Sequence, residues 1–215
     1  LQLRQQHHPG RKTIAKEALI VVDVQNDFCA GGALAVTADD AIIAAVNRLI
    51  GRYRHVILTQ DWHAPDHGSF ASNHVDKVPY DTITMPYGPQ ILWPDHCIRG
   101  TKGADFHPLL QTSTAALVLR KGCDPAVDSY SAFFENDRQT QTGLGAYLKE
   151  RGVERLTLCG LATDFCVAYS ALDAVRYGFQ TRVVLGACQA IDINGSLDEA
   201  LRHMQSNGVE LTLST

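Results

Sequence analysis

Three side chains of different chemistry follow directly on short apolar runs in this 215-residue chain: Asp23 in VVDVQNDF, Lys121 in LRKG and Cys166 in GLATDFC. Brought to one place, a carboxylate, an ammonium and a thiol form an activated nucleophile. The Lys and a helix N-terminus bias the thiol toward thiolate, and the carboxylate takes its proton and later hands it to a leaving group. Each residue has a plainer reading by itself. A free Cys packs as a small apolar side chain, an Asp after a strand caps a turn, and a Lys is usually solvated. The combination, at comparable places along the chain, favours Cys166 as a nucleophile.

A second constellation lies in QDWHAPDHGSF and WPDHC: Asp61, His63, His67 and His96, with His74 nearby. Asp-x-His on an extended segment points two ligands the same way, since residues i and i+2 share a face. A third ligand from His96 would leave open positions, as in catalytic rather than structural metal sites. Surface histidines in a polar loop are the alternative. Zn2+, Fe2+ and Mn2+ all suit one carboxylate with several imidazoles.

The elements that must position these residues are legible from apolar patterning. Runs rich in Val, Ile and Leu recur at residues 18–22, 55–59, 115–119, 155–159, 181–185 and 209–213, each of a length suited to a buried strand. Helical patterns lie between most of them: residues 38–53 behind Thr37 as N-cap, 142–151 before Gly152, 164–177 before Gly178 and 196–207 before Gly208. Strand and helix alternate, which predicts an α/β fold: a doubly wound, mainly parallel sheet of about six strands with helices on both faces. In such a sheet ligands bind beyond the carboxyl ends of the strands, where Asp23, Asp61, Lys121 and Cys166 fall. Residues 60–108 break the rhythm, but Trp62, Phe70, Trp93 and Phe106 argue against disorder there.

Composition narrows the partners. A formal net charge of −4 and no long Lys/Arg run leave no electrostatic footprint for nucleic acid or an anionic membrane, so a small molecule is the expected partner. Six cysteines without a C-x-x-C pair suggest a reducing, cytoplasmic setting, with the five besides Cys166 structural. Residues 1–17 lack the apolar core of a signal peptide and read as a flexible extension, which includes the His7–His8 pair, ahead of a single domain at 18–215.

Together, ALIVVDVQNDFCAGGALAV, TQDWHAPDHGSFASNH, WPDHCIRGTKGADFHP, RKGCDPAVDSYSAF and CGLATDFCVAYSALDA resemble the cysteine hydrolases of the isochorismatase-like fold, and among them the nicotinamidases (pyrazinamidases). The resemblance implies Cys166 as nucleophile, Asp23 as proton shuttle, and Lys121 as the charge that holds both in their working states. It implies Asp61, His63 and His96 as ligands of one divalent metal ion, with His67 a further ligand or a neighbour of the site. Backbone N–H groups of Ala162 and Cys166 would form an oxyanion hole, with a cis peptide between Leu161 and Ala162. Phe28, Trp93 and Tyr130 would line the pocket of nicotinamide, and a homo-oligomer is possible. The rivals are a metal-free amidase of the same fold, acting on ureido or carbamoyl compounds, and a non-catalytic binding module that kept the fold.

Overall fold

The computed structural model describes residues 16–36 and 40–213; the His7–His8 pair, the rest of the N-terminal extension up to residue 15 and the expected cap Thr37 lie outside them. Strand β1 (Glu17–Val22) starts one residue before the expected domain boundary. The carbonyl of Lys16 accepts the backbone N–H groups of Glu154 and Arg155, which ties the start of β1 to the start of β6. Helix α1 (Ala41–Ile50) follows, then β2 (Val56–Asp61), a hairpin of β3 (Thr82–Met85) and β4 (Gly88–Ile91), and β5 (Ala115–Lys121). The second half runs α2 (Leu144–Glu150), β6 (Arg155–Leu161), α3 (Ala168–Arg176), β7 (Gln180–Gln189), α4 (Ser196–Ser206) and β8 (Glu210–Thr212).

All six expected strands pair in one sheet of order β5-β2-β1-β6-β7-β8, and every pairing in it is parallel. The first half of the chain winds from β1 toward β5, and the second starts again at β6 beside β1 and winds the other way. Right-handed crossovers in opposite directions put α1 and α3 on opposite faces of the sheet. Helix α1 packs against β1, β6 and β7, and α3 against β7 and α4. From Ala18 onward β1 is buried, as an all-apolar strand covered on both faces must be. The switch of direction opens a crevice at the carboxyl ends of β1 and β6, the general place for a ligand in an open α/β sheet.

Two local features depart from the sequence pattern. The expected helix at 164–177 is α only from Ala168; Thr163–Val167 form a π-helical turn, the wider winding that recurs at functional sites. Residues 60–108 hold the antiparallel β3–β4 hairpin and short bridges from His63 to Ile98 and from Phe70 to Trp93, which tie the segment to the site. No helix among the described residues is long and apolar enough to cross a membrane.

Gly160 shows how tightly β1 and β6 meet. Its φ is +118°, and a Cβ added there would drive into the carbonyl oxygen of Val22, its register partner. Gly160→Ala should therefore lower stability by about 3 kcal/mol or more, through steric overlap and a left-handed backbone. Urea denaturation measures this, and a loss below about 1 kcal/mol would mean the strands separate easily.

Candidate active site

Neighbouring parallel strands end side by side, so their last residues become neighbours. Asp61 ends β2 and Lys121 ends β5 as register partners, and Asp23 follows β1 by one residue with φ at 48°. The Lys121 ammonium is fully buried, with Nζ 2.8 Å from Asp23 Oδ2, in contact with Asp61 Oδ1, 2.9 Å from the Ser129 carbonyl and 3.4 Å from Cys166 Sγ. Thr59 holds Asp23 from the other side, its hydroxyl donating to Asp23 Oδ1 at 2.6 Å. Sequence reasoning thus placed Asp23, Lys121 and Cys166 in one cluster, and the folded chain brings them together.

Burial sets the proton states here. It pushes Asp23 up to about 6 against the pull of Lys121, and the Asp61 charge adds to the rise. Burial opposes a charge on Lys121, yet Asp23 and Asp61 hold its ammonium well above the usual range. Asp61 lies below the ordinary carboxylate range, because Lys121 and His63 outweigh its burial. The expected bias of Cys166 toward thiolate does not hold: burial raises its thiol well above the usual value, and Asp23 and Asp61 reinforce this against Lys121. At rest the pair is a thiol beside a carboxylate, with the proton on sulfur.

Asp61 faces two ways. Its Oδ1 touches Lys121, and its Oδ2 lies 3.6 Å from His63 Nε2 and 3.9 Å from His96 Nε2. The opposite ring nitrogens point to acceptors only: His63 Nδ1 is 2.9 Å from the Gly122 carbonyl and His96 Nδ1 is 2.7 Å from that of Pro94. Both Nδ1 atoms therefore donate to those carbonyls, and both Nε2 atoms converge on Asp61, whose charge raises His63 above the usual imidazole range against its burial. Burial, with His63 alongside, pushes His96 down to about 4, so its imidazole is neutral at pH 7. A buried carboxylate oxygen and two imidazole Nε2 atoms, with both rings oriented by backbone carbonyls, are the donor set of a divalent metal ion. Gly122 fits closely here, since a Cβ on it would strike the His63 ring.

His67 is completely buried but stands outside this trio. Its ring packs on His63 with centroids 4.4 Å apart, and its Nδ1 accepts the N–H of Ser69 at 3.2 Å. It groups instead with His63 and Asp128. His74 lies farther off and bonds the Gly68 carbonyl through Nε2 at 2.7 Å.

A small cavity joins the two halves of the site. Asp61, His63, His96 and Cys166 line it together with Ala162 and the three expected aromatic residues, Phe28, Trp93 and Tyr130. The Trp93 indole N–H donates to the Tyr130 hydroxyl at 3.0 Å, fixing both rings. The peptide between Leu161 and Ala162 is cis. Sequence reasoning missed Phe165, Ile191 and Asp128 in the same wall. It also missed Asp164, whose carboxylate accepts the N–H groups of Ile191 and Asp192 at 3.0 and 2.8 Å and so ties the nucleophile's turn to the segment after β7. Phe165 and Asp164 adjoin Cys166 in sequence, which was the available signal.

The isochorismatase domain family matches residues 17–215. The nicotinamidase of Acinetobacter baylyi is 54% identical over 193 residues, 90% of each chain. The structure of the Acinetobacter baumanii nicotinamidase superposes with a TM-score of 0.90 at 54% identity, covering 92% of this chain and 95% of that one. A zinc complex of the Pyrococcus horikoshii pyrazinamidase gives 0.74 at 33% identity, over 92% and 98%. The chain belongs to the isochorismatase family, and within it to the nicotinamidases.

Lys121→Met keeps the stem and removes the charge, which leaves Asp23 and Asp61 buried without their cation. Breaking such a pair costs about 3–5 kcal/mol. Chemical denaturation at pH 7 should show a loss of that size, and an unchanged midpoint would mean the carboxylates find other partners.

Proposed function

We propose that this chain hydrolyses nicotinamide to nicotinate and ammonia as a metal-assisted cysteine amidohydrolase, with pyrazinamide as a further substrate. The observation that carries this is one buried ammonium, Lys121, in contact with Asp23, Asp61 and Cys166 beside an aromatic cavity. A divalent ion on Asp61, His63 and His96, whether zinc, iron or manganese, would supply a Lewis acid for the pyridine nitrogen and so orient the ring.

The chain's own residues do the rest. Phe28, Trp93 and Tyr130 enclose the flat ring and exclude water. Asp23 takes the proton from Cys166 Sγ, and the thiolate attacks the carboxamide carbon. N–H groups of Ala162 and Cys166 receive the developing oxyanion. Protonated Asp23 then gives its proton to the departing nitrogen as the C–N bond breaks, so that ammonia leaves and a thioester remains on Cys166. Asp23 next takes a proton from a water that attacks the thioester, and returns it to sulfur as nicotinate leaves. Lys121 keeps its charge throughout and holds Asp23 in reach of both partners. The six cysteines are free among the described residues, which suits the reducing, cytoplasmic setting this thiol chemistry needs.

Ammonia release from nicotinamide tests the reading. Cys166→Ala should abolish it without loss of fold, and more than a few per cent of residual rate would return Cys166 to a packing role. His96→Ala should lose metal and nicotinamide turnover together, while benzamide, which has no ring nitrogen, should be a poor substrate of the wild type. Equal rates on the two amides by protein shown to be metal-free would favour the metal-free amidase.

The pH profile follows from Asp23. Since it accepts a proton only when ionised, kcat/KM should climb as pH rises through about 6 and level off above. Asp23→Asn should leave a small residual rate without that limb. A wild-type profile flat from pH 5 to 7 would remove Asp23 from proton transfer.

A further inference from the structure

One buried carboxylate in the cavity has no part in the steps above. Asp128 is 2% exposed and lines the same wall as Asp61, His63 and His96. One of its oxygens lies within 4.8 Å of a ring nitrogen of His63 and of His67. It is firmly held: Gln90 Nε2 donates to Oδ2 at 2.9 Å and the Ser129 N–H donates to Oδ1 at 2.8 Å. Gln90 is itself anchored, donating to the Tyr130 hydroxyl at 2.9 Å and accepting from Tyr87 and Asn136. Each carboxylate oxygen can accept two hydrogen bonds, so neutral donors leave acceptor capacity on both.

The charges around the cavity do not balance. Asp23, Asp61 and Asp128 are three buried carboxylates, and Lys121 is the buried ammonium among them. Histidines apart, the formal sum of these four groups is −2, in a place where uncompensated charge is expensive. Asp23 and Asp61 share Lys121, while Asp128 is held by neutral groups and faces the histidines.

We propose that Asp128 is a fourth member of the cation site: an outer carboxylate, behind the Asp61–His63–His96 trio, whose charge sets the affinity for a divalent ion. This rests on the metal reading of the preceding subsection. Asp128 completes the charge that a doubly positive ion neutralises, and Gln90 and Ser129 aim it. Carboxylates and carbonyls behind metal ligands commonly tune affinity in this way.

The test is calorimetric titration of Zn2+ into the chelator-stripped full chain, alongside thermal melts with and without Zn2+. Asp128→Asn should bind about 10–100-fold more weakly than wild type. Its metal-free melting temperature should be unchanged or higher, because a repelling charge has gone, and the rise on adding Zn2+ should be smaller. Gln90→Ala breaks the hydrogen bond but keeps the charge, and should bind Zn2+ within about threefold of wild type. Asp128→Asn binding within threefold of wild type would overturn the proposal, as would a metal-free variant that melts well below wild type or fails to fold. An equal loss in Gln90→Ala would also overturn it, assigning the effect to the network. His96→Ala separates the two readings: if wild type and His96→Ala bind Zn2+ alike, the trio itself is wrong, whereas a loss in His96→Ala with none in Asp128→Asn removes Asp128 alone.

Discussion

The Lys121 ammonium is the interaction on which the site depends. Three strand ends from one parallel sheet bring Asp23, Asp61 and Lys121 together, and the two carboxylates would repel each other across a medium of low dielectric without the cation between them. Lys121 can stay charged at zero exposure only because both carboxylates answer it. Burial and charge then compete separately at each neighbour. Asp61, with Lys121 and two histidines, is driven below the ordinary range, while Asp23 rises to about 6. Cys166 keeps its proton because desolvation outweighs one ammonium that is already shared.

Asp61 makes one site of what the sequence presents as two constellations. One of its oxygens belongs to the ammonium and the other to the imidazoles, so a charge change on either side is felt on the other. Its backbone is clamped as well. Gln25 accepts the Asp61 N–H and donates to the Asp61 carbonyl, both at 2.8 Å, which leaves the carboxylate little freedom to turn. The aromatic wall adds shape to this electrostatic frame. Trp93, Tyr130 and Phe165 meet edge to face, with Trp93 and Phe165 centroids 4.9 Å apart, the arrangement that ring quadrupoles favour.

Much of the architecture is legible in the amino-acid sequence because parallel strands buried on both faces leave a strong mark. Residues 18–22 are all apolar and 155–159 carry Leu156, Leu158 and Cys159, and both runs lie in strands of the central pair β1 and β6. The β3–β4 hairpin leaves no such mark. TITM and GPQI are four residues each, mostly half-buried or exposed, and one contains Pro89. Helix lengths are over-read at α1 and α3, since helical periodicity continues through turns whose hydrogen bonds are not α-helical.

Residue chemistry and strand periodicity, both local properties, pointed to the six-stranded parallel fold, the cluster of Asp23, Lys121 and Cys166, and a carboxylate–imidazole set from Asp61, His63, His67 and His96, which the family resemblance narrowed to Asp61, His63 and His96. They sufficed because the end of a strand is a definite place in a parallel sheet. Only the tertiary structure decided the proton on Cys166, the position of His67 behind His63, the presence of Asp128 and Phe165 in the cavity wall, and the tie from Asp164 to the segment after β7. The reason is physical: desolvation depends on everything packed around a group, and a carboxylate such as Asp128 acquires its neighbours from β4 and the histidine loop, far away along the chain.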